Sequence, residues 1–242
     1  PVDQTTGQVV DDFRLMQMLE TLKPLLASGN KVLLCGKLGR PKGKKTKTLS
    51  IRPVAKRLAE LLHRQYLEVE HDFSEFGLPH LVFFTGDVRT QKARTQIQKM
   101  PFKDLVVLEN LEFYPEELDA DVGFAKSLAS LADVYVDDDF SKCHHKVASN
   151  TAIAGQLPSL MGLTLEQETQ SLTRVLKHTD KPFVLMTGGI KLTEKLGVLE
   201  NLGKKADHIL VGGGVANLIF SAKGYEIGLS RVQEGETKLA WQ

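Results

Sequence analysis

The stretch Val32–Gly43, VLLCGKLGRPKG, joins an apolar run to a glycine-rich basic loop. Val32–Cys35 shows no polar alternation, which fits a strand covered on both faces, as in a parallel sheet. Comparable runs recur at Leu81–Phe84, Leu105–Leu108, Val134–Val136, Phe183–Met186 and Ile209–Val211, with segments of helical period between them. Ser50 is predicted to cap one such helix, in which Val54, Leu58, Leu61 and Leu62 share a face. Leu163–Lys177, LTLEQETQSLTRVLK, reads as another, with Leu165, Leu172, Val175 and Leu176 at its apolar positions. Repeated β-α alternation predicts an α/β fold built on a doubly wound parallel sheet. The junction between two parts is expected near the Leu163–Lys177 helix: a first domain over 1–162, a linking helix over 163–180, and a partial second α/β domain over 181–242.

The totals narrow the function. A chain of 242 residues can bury a substantial core, and its 31 basic residues nearly balance 30 acidic ones. No global field draws it to nucleic acid or to a membrane surface, so any anion site must be local. Cys35 and Cys143 lie far apart with no CxxC spacing, which argues against a zinc site or disulfide framework and points to a reducing compartment, read here as cytoplasm. No apolar run approaches a membrane span, and the chain begins at Pro1 with no signal-peptide pattern.

Ligands in α/β sheets lie outside the carboxyl ends of strands, where loops and helix N-termini present backbone N–H groups. The GKLGRPKG loop occupies such a place. Gly39 permits positive φ, Arg40 offers a planar fork for phosphate or carboxylate, and Pro41 stiffens the turn. Lys42 to Lys47 read as a solvated connection. Further along, Gly188 and Gly189 of TGGIKLTEK follow a strand and allow close backbone approach, and Lys191 and Lys195 are placed on one helical face. Gly212-Gly213-Gly214 alone reads as a tight turn. Cys143-His144-His145 is a weak candidate for a thiol nucleophile or metal site, because adjacent residues rarely converge on one ion; no metal ligand is assigned. The acidic run Asp137-Asp138-Asp139 could bind a cation.

The blocks LGRPKG, RPVAKRLAELL, LENLEFYPEE, ASLADVYVDDDF, TGGIKLTEKLGVLENL, LVGGGVANLIF and KGYEIG occur in this order, and together they resemble the phosphoglycerate kinase family from Asp11 to Gly228. The resemblance implies phosphoryl transfer between 1,3-bisphosphoglycerate and ADP, giving 3-phosphoglycerate and ATP in glycolysis. The N-terminal domain would hold the three-carbon acid on a basic patch, and the C-terminal domain the nucleotide, ATP or ADP with Mg. Arg14, in DDFRL, matches the arginine that meets the transferred group, and Arg40 matches a second substrate arginine. Lys37 stands in place of the histidine of an SHLGRP-like block, keeping a positive charge. His144 matches on the acid side, and Asp137 and Asp138 match a family strand end whose implied role is structural or loop-orienting. On the nucleotide side Gly188, Gly189, Lys191 and Lys195 correspond to the family's GGxKxxxK block, and Gly212, Gly213 and Gly214 to the run beside the adenine. Arg14 and Lys195 are the implied catalytic pair. The resemblance implies that the family's magnesium-binding aspartate would belong to a part beyond this chain, and that the strand carrying its DxNVP block would lie ahead of Pro1.

Departures gather on the acid side. Glu112, in ENLEF, stands where the family has arginine. In DDFSKCHHKVAS, set against DAFGTAHRAHAS, Asp139 stands for alanine, Ser141 for glycine, Lys142 for threonine, His145 for arginine, Lys146 for alanine and Val147 for histidine, while His144 and Ser149 match. A charge pair about 4 Å apart is worth roughly 4 kcal/mol at an effective dielectric of about 20. Glu112 therefore removes one attraction and adds a repulsion unless Lys142 or Lys146 compensates. Three functions stay open: the kinase; a catalytically inactive relative acting as a binding or regulatory protein; and a basic-loop anion or nucleic-acid binder using Lys37 to Lys47. Near-zero net charge and the lack of interleaved aromatics argue against nucleic acid. A second domain left with an open sheet edge would invite self-association.

Overall fold

The computed structural model describes residues 2–3, 5–69, 79–177, 180–233 and 235. It divides into two compact units, residues 1–169 and 170–242.

The first unit is built on a four-stranded parallel sheet in the order β1-β4-β3-β2, with β1 Val32–Leu34, β2 Gln65–Val69, β3 His80–Phe84 and β4 Leu105–Leu108. Register is set by pairs such as Val32 with Leu105 and Leu81 with Leu105. Successive strand residues point to opposite faces, and both faces are covered. Leu81, Phe83, Leu105 and Val107 pack with Leu19, Leu22 and Leu26 of α1 (Phe13–Ala27) and Ala55 and Leu58 of α2 (Arg52–Leu61). Val82, Phe84, Val106 and Leu108 pack with Ala93 and Ile97 of α3 (Gln91–Gln98), and with Phe124 and Leu128 of α5 (Val122–Ala129). Two cores on one sheet are the doubly wound arrangement that the uninterrupted apolar runs predict. A short helix α4 (Pro115–Leu118) separates β4 from α5, and β5 (Tyr135–Asp137) pairs in parallel with β6 (Ser159–Met161).

The expected strands appear with ends shifted by a residue or more, and Leu105–Leu108 without any shift. β2 and β6 were not expected. β2 is an edge strand with a partly exposed pattern, and all three β6 residues are exposed. The Ser50 cap is corrected by one position: Ile51 occupies the N-cap of α2. Ser50 still contributes, because its Oγ accepts the Arg52 N–H at 3.2 Å and donates to Glu109 at 2.7 Å. α6 spans Leu163–Lys177 as expected, yet only Leu165 is buried, and Leu172, Val175 and Leu176 are exposed. Its first turn is held by Asp138, whose Oδ1 accepts the Thr164 and Leu165 N–H groups at 2.9 and 3.3 Å. Gly162 makes that approach feasible, since a Cβ there would lie 2.2 Å from the same oxygen. This is the loop-orienting role expected of Asp138.

The second unit contains the parallel pair β7 (Val184–Gly189) and β8 (His208–Gly212), with α7 (Leu196–Leu202) between them and α8 (Gly213–Ala222) after them. A small core joins Leu192, Val215 and Leu218. Val184, Met186, Ile209 and Leu210 of the two strands are exposed.

Candidate functional site

Loops leaving β1, β4 and β5 are bonded together in the first unit. After β4, the buried Asn110 donates through Nδ2 to the carbonyls of Leu38 and Leu49, both at 2.8 Å. Leu111 N–H donates to the Gly36 carbonyl at 3.2 Å and Gly43 N–H to the Glu112 carbonyl at 3.0 Å. The glycine-rich loop is therefore pinned at both ends around Arg40. Gly39 has φ of +66°, and a Cβ there would stand 2.6 Å from a Leu49 methyl; Gly43 has φ of +76° and closes on Pro115. Both conformations favour glycine, at Gly39 for the reason read from the sequence. Glu109 completes the anchor. Its carboxylate accepts from Ser50 Oγ at 2.7 Å, Ile51 N–H at 3.0 Å and Asn110 N–H at 2.8 Å.

The loop after β5 joins through Ser149. Its N–H and hydroxyl donate to Glu117 at 2.9 and 2.6 Å, and Asn150 Nδ2 donates to the Lys142 carbonyl at 2.7 Å. This loop carries Lys142, Cys143, His144, His145 and Lys146. The His144 and His145 rings pack with centroids 4.3 Å apart. The His145 imidazole is held below its ordinary value by partial withdrawal from water, then by the nearby positive charge of His144, Lys142, Lys37 and Arg40. Cations from the β1 loop and the β5 loop thus lie within electrostatic reach of one imidazole.

Each expected acid-side residue has a defined place. Arg40 is exposed, and its side chain has no hydrogen-bond or ion-pair partner among the described residues. Arg14 is likewise exposed and unpaired among the described residues, on the first turn of α1. That turn is steadied by Asp12, which accepts from Arg57 Nε and Nη2 at 2.9 and 2.7 Å. Lys37 is different: its ammonium is bonded to Glu112. The cation that answers Glu112 is thus Lys37, and neither Lys142 nor Lys146, the two candidates weighed from the sequence, is bonded to it. Lys42, Lys44, Lys45 and Lys47 are exposed, as a solvated connection requires. Sequence reasoning missed Glu109 and Asn110, which carry no ligand-binding chemistry of their own; their signal was burial inside the LENLEF block.

In the second unit the glycines form a close backbone contact at the carboxyl ends of β7 and β8. A Cβ on Gly188 would lie 3.1 Å from the Gly212 carbonyl oxygen, and one on Gly214 would lie 3.0 Å from that of Gly189. Gly189 has φ of +128° and Gly213 of +62°. Gly212 is the N-cap position of α8, so the triple glycine is the start of a helix, not an isolated turn. An open depression of about 360 Å³ adjoins Gly188 and Gly212 and includes Met186 and Leu210. Lys191 and Lys195 do not share a helical face. Both precede α7, in a turn closed by the Lys195 N–H on the Leu192 carbonyl at 2.8 Å, with Leu192 buried. Lys191 lies 3.6 Å from Glu194. The Lys195 stem passes Gly189, 3.7 Å from where a Cβ would be, and its ammonium has no partner among the described residues.

A family model for phosphoglycerate kinase matches residues 1–242. The phosphoglycerate kinase of Desulforudis audaxviator is 40% identical over 234 residues, covering 97% of this chain and 56% of that protein. That of Pelotomaculum thermopropionicum is 37% identical over 239 residues, covering 99% and 57%. The chain spans about half the length of the curated relatives it matches. Among solved structures, phosphoglycerate kinase from Coxiella burnetii superposes with a TM-score of 0.76 at 28% identity, over 100% of this chain and 57% of that one. The Pyrococcus horikoshii OT3 enzyme gives 0.75 at 29% identity, over 94% and 54%.

Proposed function

The chain belongs to the phosphoglycerate kinase family, and from that premise we propose that it takes part in phosphoryl transfer between 1,3-bisphosphoglycerate and ADP, its first unit holding the acid and its second the nucleotide. The observation that carries the acid side is the unpaired Arg40, on a loop pinned by Asn110 and Gly43, within electrostatic reach of the His145 ring together with Lys142 and His144. An arginine fork presented without an internal partner is suited to a carboxylate or phosphate. His144 adds a donor on the loop after β5, and Arg14 is assigned to the transferred group by the family match.

The nucleotide side rests on fit. A backbone cradle that a Cβ would fill at Gly188 and Gly214, the start of α8 at Gly213, and the unpaired Lys195 ammonium suit an anionic phosphate chain. Bound ADP supplies the accepting phosphate. Gly188, Gly189 and Gly212 to Gly214 would line it, Lys195 would neutralise its charge, and Lys191 would do so on release from Glu194. No group of three or more metal-ligating side chains occurs among the described residues, so no step is assigned to magnesium here. Catalysis of this kind rests on positioning and charge neutralisation, and both are tasks for the arginines and lysines named.

The test is ATP formation from 1,3-bisphosphoglycerate and Mg-ADP by a protein of full family length containing this chain. Turnover that falls by at least about 100-fold in Arg14→Ala, as expected for a group stabilising charge in the transition state, supports the reading. Absence of turnover in the unsubstituted protein overturns it.

A further inference from the structure

We propose that Glu112 is a specificity-determining residue of the acid site: it engages Lys37, keeps that ammonium from the ligand, and so lowers the site's affinity for multiply charged anions. The inference rests on the functional reading above, and its grounds are local. The Glu112 side chain is 8% exposed and that of Lys37 31%. Burial leaves the carboxylate little room to move, and the backbone that carries it is fixed on both sides. Its N–H donates to Asn110 Oδ1 at 3.1 Å, and its carbonyl accepts from Gly43.

An anion entering beside Arg40 must compete with Glu112 for Lys37. Winning would strand a buried carboxylate without its cation, which is far costlier than leaving an exposed lysine unused. A second carboxylate makes the exchange worse. The Glu117 carboxyl is held above its ordinary value by burial, with Glu112 pushing it further up and Lys37 drawing it down. Displacing Lys37 would remove the cation whose field offsets that of Glu112 at Glu117. Lys37 and Glu112 therefore act toward the ligand as a neutral pair, and the site's usable charge comes from Arg40 and Lys142. The replaced arginine at this position would have had the opposite effect.

Calorimetric titration with inorganic phosphate and with 3-phosphoglycerate tests this on the wild type, on Glu112→Gln and on Lys37→Met/Glu112→Gln. Glu112→Gln preserves shape and frees Lys37, so both anions are expected to bind at least about tenfold more tightly, equivalent to about 1.4 kcal/mol, and to lose more affinity as salt is added. The double variant is expected to stay within about twofold of the wild type, because a neutral pair has been exchanged for neutral groups. Unchanged or weaker binding in Glu112→Gln, or a gain that survives Lys37→Met, overturns the proposal. Should Glu112→Gln fail to fold, the double variant decides alone: binding about tenfold weaker than wild type would mean that Lys37 holds the ligand after all. Failure of the acid-site reading is separate. It appears as 3-phosphoglycerate binding no better than phosphate and no response to Arg40→Ala, while tighter phosphate binding by Glu112→Gln still supports the role of Glu112.

Discussion

Glu117 takes two hydrogen bonds from the single residue Ser149, from its N–H at 2.9 Å and its hydroxyl at 2.6 Å. The pair ties α4, just after β4, to the end of the loop that presents Lys142, His144 and His145. Glu117 is 4% exposed and Ser149 is half-buried. Ser149→Ala leaves a buried carboxylate oxygen without its donor and is expected to destabilise the first unit by about 1–3 kcal/mol. Urea unfolding of the two proteins measures it, and a change below about 0.5 kcal/mol would contradict the tie.

The same carboxyl imposes a pH dependence. Burial raises the Glu117 value above 4.5, the Ser149 bonds only partly opposing it. The folded state then binds that proton more tightly than the unfolded state does. Its contribution to stability is fully present below the ordinary carboxylate value and is lost as pH rises through the raised one. Glu117→Gln should remove this falling slope from the stability profile. An identical slope in the variant would show that another group is responsible.

His145 offers a reporter of occupancy. In the free chain its imidazole is lowered by withdrawal from water and by surrounding cations. An anion bound among those cations screens them and favours the imidazolium, so the value should rise toward 6.5. By linkage, binding should strengthen as pH falls through the raised value. Proton NMR titration of the ring with and without 3-phosphoglycerate follows both effects, and a downward shift would contradict them.

The glycines of the second unit are not equivalent. At Gly214 a Cβ meets two backbone atoms, the Gly189 oxygen at 3.0 Å and the Ile190 Cα at 3.1 Å, whereas at Gly212 nothing lies within 4 Å. Gly212 also has φ of −129°, open to any residue. Gly214→Ala should cost about 1–3 kcal/mol by overpacking. Gly212→Ala should stay within about 0.5 kcal/mol. Hydrogen exchange of the β8 amides ranks the two, and equal losses would contradict the cradle.

Most of the first unit's architecture was legible because its central strands are apolar on both faces. Leu105–Leu108 needed no tertiary information, as every one of its side chains enters a core. β2 was hidden by its edge position: Gln65 and Glu68 are exposed, which breaks the continuous run that marks a central strand. In the second unit the spacing of Lys191 and Lys195 suggested a helical face, but Leu192 enters the small core between them and the chain turns there instead. On the acid side the residue types were legible and their pairing was not. Lys37 and Glu112 are 75 residues apart, and only the folded loops bring the ammonium to the carboxylate. The identity of Glu112 announced a lost arginine, while the cation that answers it followed from the way Asn110 and Gly43 lock the two loops together.

The central claim is that Arg40 presents its guanidinium to a phosphorylated acid held by the first unit. Calorimetric titration of 3-phosphoglycerate into the wild type and Arg40→Ala tests it most directly. The account predicts one site on the wild type, weakened at least about tenfold by the substitution, as loss of a charge-assisted contact requires. Equal binding by the two proteins would contradict it.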